Sequence, residues 1–142
     1  MQAALPREDE LDGRDYLVLP VVMSRGTRGG IDLEDVVEKW QGKPVVANSH
    51  PKINGEYVSV RTPKMMASHA IGTVFNVRVD GDLLRGEAWF DVRKTLKASS
   101  DIISAAKAGH SLGCSTMYRD NIPDHLAISA NPSGATSTGA KR

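Results

Sequence analysis

Ala70-Ile-Gly-Thr-Val-Phe-Asn-Val-Arg-Val79, Asp80-Gly81-Asp82 and Leu83-Leu-Arg-Gly-Glu-Ala-Trp-Phe90 follow one another without interruption. Polar and apolar residues alternate through Phe75-Asn-Val-Arg-Val79, which is the period of a strand, and an Asp-Gly-Asp step between two such runs signals a tight turn. The stretch predicts an antiparallel β-hairpin with Val74, Asn76 and Arg78 on one face and Phe75, Val77 and Val79 on the other.

Upstream, Tyr16-Leu-Val-Leu-Pro-Val-Val-Met23 is an apolar run of strand length, and Pro20 predicts an edge position or a bulge. Ser24 to Gly30 reads as a loop. Asp32 stands as N-cap before Leu33, Val36, Val37 and Trp40, an i, i+3, i+4, i+7 set that predicts a short amphipathic helix ending near Gly42. Pro44-Val-Val-Ala47 is a short strand that delivers Asn48-Ser49-His50-Pro51 at its end. Residues 51 to 66, with Pro51, Asn54-Gly55 and Pro63, predict a long mobile loop.

Downstream, Asp91 caps a helix over Val92, Leu96, Ile103 and Ala106, with Ser99-Ser100-Asp101 as a break and Gly109 as its end. Leu112 to Tyr118 and His125 to Ala130 are the last strands. Short strands with two helices inserted at separate points predict an α+β domain built on an antiparallel sheet or small β-barrel. Its domain spans residues 15–130, between a flexible segment 1–14 and a disordered tail 131–142.

The 142 residues fit one domain, and 18 Lys and Arg against 17 Asp and Glu leave no net basic footprint for nucleic acid. One cysteine, Cys114, excludes an internal disulfide framework and a Cys-rich zinc site. The opening Met1-Gln-Ala-Ala-Leu-Pro-Arg has no apolar leader core, and no run of about 18 apolar residues occurs, so a soluble, non-exported protein is expected.

No phosphate loop, dinucleotide fingerprint or His-Glu-x-x-His is present. Four histidines and a serine cluster remain. His50, where a strand breaks at a proline, can project into a cleft. His69 starts the hairpin, His110 follows a helix-ending glycine, and His125 begins a strand. Serine is a weak nucleophile that needs a histidine to take its proton and a third group to orient that histidine. A metal-assisted hydrolase on His50, His69, His110 and His125 is disfavoured, because they lack the spacing of a local ligand pair.

Gly109-x-x-x-Gly113-Cys114-Ser115-Thr116-x-Tyr118 resembles the Gly-x-x-x-Gly-apolar-Ser-x-Gly-aromatic segment around the nucleophile of phage prohead maturation proteases. The strand-ending Asn48-Ser49-His50-Pro51, the Ile71-Gly72-Thr73-Val74 strand and the final Asp124-His125-Leu-Ala-Ile128 follow that family's order, and also resemble a divergent branch of phage head proteins. The resemblance implies an assemblin-like antiparallel barrel with peripheral helices, related to the herpesvirus assemblins. It implies a serine endopeptidase that cleaves scaffold and capsid-protein segments during prohead maturation, without cofactor, metal, nucleic acid or membrane.

Its partners would be the phage scaffold and major capsid proteins, inside the assembling prohead in the host cytoplasm. Ser115 would be the nucleophile, His50 the base and His125 the third member, with His69, Asp124 and Ser111 as alternatives and Arg119 as the oxyanion candidate. Met117 stands where the family carries glycine. The connection from His50 to Ile71 is longer than in the typical phage enzyme, and it brings His69 nearer the family register. The alternative is an inactive head or scaffold-associated structural protein of the same fold.

Overall fold

The structure is a computed structural model and describes residues 6–26, 32–110, 112–130 and, by backbone alone, 136–137. The expected hairpin forms from β6 (Ala70–Asp80) and β7 (Leu83–Asp91), closed by Gly81 and Asp82. Its alternation departs from the expected one. Asn76 takes a positive φ of 54°, and the register shifts between Phe75 and Arg78. This bulge returns Val77 to the core face beside Val74, so the two are buried together instead of facing opposite ways.

Before the hairpin lie β1 (Arg7–Leu11), β2 (Arg14–Arg25), α1 (Leu33–Trp40) and β3 (Pro44–Ala47). Asp32 caps α1 as expected, its carboxylate accepting from the Glu34 N–H at 3.1 Å. Pro20 lies past Val18, where β1 pairing ends, so one side of β2 has no β1 neighbour at the proline. Within the expected flexible segment 1–14, Arg7–Leu11 instead forms a strand: turned by Asp12 and Gly13 at positive φ, it pairs with Arg14–Val18, while residues 1–5 of that segment lie outside the described residues.

The connection after His50 is also more ordered than a mobile loop. It holds the small hairpin β4 (Lys52–Ile53) and β5 (Glu56–Tyr57), then α2 (Pro63–His69). Asn54 and Gly55 both take positive φ, the pattern of a type I′ turn. Thr62 caps α2 by accepting from the Met65 N–H, with Pro63 at the first helical turn.

After β7 come α3 (Val92–Lys107), β8 (Gly113–Arg119), β9 (Ile122–Ser129) and β10 (Thr136–Ser137). Asp91 caps α3, and Ser99 breaks it with extended backbone angles, as the Ser99-Ser100-Asp101 step suggested. Apart from Thr136 and Ser137, which pair with Cys114 and Gly113, the tail 131–142 lies outside the described residues.

The fold is α+β, as expected, but the sheet is neither wholly antiparallel nor a closed barrel. Seven strands run in the order β1-β2-β7-β6-β3-β9-β8, extended by the short β10. β3 pairs antiparallel with β6 and parallel with β9, because α2 and the hairpin of β6 and β7 separate it in sequence from its second neighbour. The sheet curls until β2 packs near β8 and β10, yet no ladder joins these ends among the described residues.

Each face of the curl carries its own cluster. The main core joins Leu17, Leu19, Val21 and Met23 of β2 to Trp40 of α1, Phe90 of β7, Ile102 and Ile103 of α3, and Cys114, Leu126 and Ile128 of the last strands. A smaller cluster of Val46, Val60 and Ala127, with Met65 against it, lies apart from that core. Ser115 pairs with Ala127 and Met117 with His125, so all four share the face that Val46 reaches through its own pairing with Ala127.

Candidate active site

The alternation that sends Cys114 and Thr116 toward the main core turns Ser115 the other way. β8 is anchored one turn of pleat further on, where the Trp40 indole N–H donates to the Tyr118 hydroxyl at 3.0 Å with the rings edge to face. This gives the aromatic of the Ser115 segment a structural role. Met117 is absent from the residues with positive φ, so a side chain at the family's glycine position meets no left-handed backbone here.

His50 reaches the same face by a turn. Asn48 takes a φ of 70°, its N–H donates to the Ile128 carbonyl at 2.7 Å, and the Ser49 N–H donates to the Ala47 carbonyl. The chain thereby leaves β3 over β9 and β8. His50 Nε2 then lies 2.8 Å from Ser115 Oγ, and His50 Nδ1 lies 2.7 Å from His125 Nε2. On its far side, His125 Nδ1 lies 2.7 Å from Asp124 Oδ1.

Ser115, His50, His125 and Asp124 are thus joined by a continuous chain of hydrogen bonds, with His125 and Asp124 fully buried. The carboxylate accepts the Val60 N–H at 2.8 Å on Oδ1, and the Ser59 hydroxyl at 2.6 Å and Arg61 Nε–H at 3.1 Å on Oδ2. Each hydrogen bond to a charged group contributes about 1.5–3 kcal/mol. Arg61 is 39% exposed, so its ion pair is screened and the enclosed bonds from Val60 and Ser59 matter more.

These bonds set the electrostatics. Burial alone would raise the Asp124 pKa, but the bonds from Ser59, Val60 and His125 outweigh it and hold the group below its ordinary value. Burial lowers the His125 pKa against the opposing pull of Asp124, and the charge of Arg119 lowers it further. His50 is brought down to about 4, first by burial and then by His125, with Asp124 working the other way. Both shifts favour the neutral imidazole at pH 7, the form a proton acceptor must have.

Tyr57 forms the near wall, its ring edge-on to His50 at a centroid distance of 6.0 Å, with Lys52 Nζ 4.6 Å from the same ring. Arg119, the oxyanion candidate, donates from Nη1 to the Tyr57 carbonyl at 3.2 Å. The remaining candidates stand elsewhere or outside description. His69 ends α2 on the surface with Ser68 Oγ beside its Nδ1, and His110 follows α3, its backbone N–H donating to the Ala105 carbonyl. Ser111 lies outside the described residues. Of the four histidines weighed as metal ligands, only His50 and His125 meet, and no metal-holding group of three appears among the described residues.

Sequence reasoning missed the Ser59, Val60 and Arg61 shell. The Thr62-Pro63 step, an N-cap followed by a first-turn proline, was the available sign that the connection is ordered just there. Set against known proteins, the chain matches no family model, no curated protein and no solved structure.

Proposed function

We propose that the protein is a serine endopeptidase of the prohead-maturation kind, acting on scaffold and capsid-protein segments inside an assembling phage head in the host cytoplasm. The observation that carries this is the contact of Ser115 Oγ with His50 Nε2, backed by His125 behind His50. A hydroxyl within hydrogen-bond reach of a neutral, oriented imidazole is the arrangement that nucleophilic acyl transfer requires.

In the proposed reaction Ser115 Oγ attacks the scissile carbonyl carbon while its proton passes to His50 Nε2. His50 returns that proton to the leaving amine, and water, deprotonated by the same nitrogen, hydrolyses the acyl-enzyme. His125 holds the His50 ring. Arg119 beside Tyr57, with backbone N–H groups of residues 113–119, is the candidate partner for the developing oxyanion. The strong curl of the sheet, with β2 brought near β8, supports an assemblin-like reading of the fold with its edges left apart.

The test is co-expression with a phage scaffold and capsid protein. Cleavage should occur with the parent and be lost in Ser115→Ala. Equal processing by both would leave the inactive head-protein reading in its place.

A further inference from the structure

Resting on that reading of Ser115 and His50, we infer that Asp124, clamped by Ser59, Val60 and Arg61, is a positioning residue that sets the direction of every hydrogen bond in the chain. An ionised carboxylate only accepts, and Asp124 is met by donors on both oxygens. His125 must therefore carry its proton on Nδ1. Being neutral, it then offers a bare Nε2 to His50, so His50 must carry its proton on Nδ1. His50 Nε2 is left bare and faces Ser115, whose hydroxyl must donate to it.

Removing the acceptor removes the reason for this order. His125 can then carry its proton on Nε2 and donate to His50 Nδ1, which moves the His50 proton to Nε2, pointing at the serine. That tautomer cannot take the serine proton. Asp124 also supplies the buried negative charge for the imidazolium formed when His50 is protonated. The carboxylate acts through two rings without touching substrate.

The clamp gives the 51–69 connection a task. It supplies a hydroxyl, a backbone N–H and a guanidinium from three consecutive residues, and Val60 closes over Val46 and Ala127 beneath them. Docking of Ser59–Arg61 and ionisation of Asp124 support each other.

Long-range imidazole ¹⁵N–¹H correlation at pH 7, with the rate of fluorophosphonate labelling, tests this on the full chain. In the parent, His50 and His125 should each be protonated at Nδ1 alone. In Asp124→Ala the pattern should shift toward Nε2, and labelling should slow on the order of 10²–10⁴-fold, the upper figure being the wrong-tautomer loss in other serine enzymes. Parent tautomers with parent labelling would overturn the inference.

Should Asp124→Ala not fold, Asp124→Asn decides. It keeps the shape and loses the charge, while its remaining oxygen can still accept from His125. The readout is therefore labelling, which should slow because the imidazolium loses its buried counter-charge, and labelling at the parent rate would overturn the inference. In Ser59→Ala, the Asp124 carboxyl followed by ¹³C should titrate at higher pH, and an unchanged titration would overturn the clamp. A parent that never labels but shows the Nδ1 pattern would remove the protease reading and leave the positioning role standing, so the two failures are distinguishable.

Discussion

His50 Nε2 and Ser115 Oγ are 2.8 Å apart in space and 65 residues apart in sequence. Three adjacent strands hold them there: β3 delivers His50, β8 carries Ser115, and β9 lies between and supplies His125. Because the rigid sheet has already met the cost of closing such a loop, the two side chains face each other in the folded protein before any substrate arrives.

Substitution along this chain should be graded. Ser115→Ala removes the nucleophile and should abolish scaffold cleavage, a loss that reaches about 10⁶ in turnover in other serine proteases. His50→Ala should be nearly as severe, and His125→Ala milder, with a loss of roughly 10⁴. His69→Ala should leave cleavage intact, since its ring lies beside Ser68 on the surface. Quantified processing of a co-expressed scaffold checks the order, and loss in His69→Ala with survival in His50→Ala would reverse it.

The acid limb of activity should fall well below the ordinary histidine range. Burial, and then the neighbouring His125, lowers His50 from its ordinary value of 6.5 to about 4, so the neutral base persists until the pH drops toward 4. Stability follows the same sign. Between those two values the unfolded chain binds a proton that the folded one does not, so stability is fully present above the upper value and declines as pH falls through the window. Labelling rate and thermal midpoint against pH check both, and an acid limb near 6.5 would contradict the burial of His50.

Gly72 should tolerate no side chain. A Cβ there would collide with the Trp89 carbonyl oxygen across the β6–β7 ladder. Gly72→Ala should destabilise the protein by about 1–3 kcal/mol, the usual cost of overpacking, in a denaturant titration. A change below a few tenths of a kcal/mol would mean the strands can part there.

Amide exchange should divide the 51–69 connection. The Val60 N–H is buried against Asp124 and should exchange slowly, whereas Asn54 and Gly55 at the exposed hairpin tip should exchange fast. Rapid exchange at Val60 would show that the clamp does not hold in the free protein.

The hairpin of β6 and β7 was legible because its turn and its period are local signals. Its bulge was not, since Asn76 at positive φ is one conformer among several that a polar strand residue can take. The expected barrel gave way to an open mixed sheet for a similar reason. The parallel pairing of β3 with β9 joins Val45 to Leu126 across most of the chain, and no periodicity within either strand specifies its neighbour.

Ser115, His50 and His125 could be named from motif order, but their contacts depend on the turn at Asn48 and on strand register. The Ser59 to Arg61 clamp left least trace. Those residues sit in irregular backbone, and their partner Asp124 is more than 60 positions away.

The central claim, an activated Ser115, is tested most directly by reacting the purified parent with a fluorophosphonate and mapping the adduct by peptide mass. The expected result is a phosphonyl group on Ser115, formed with loss of fluoride, absent from Ser115→Ala and strongly slowed in His50→Ala. A parent that stays unlabelled, or a label that persists in Ser115→Ala, would contradict it.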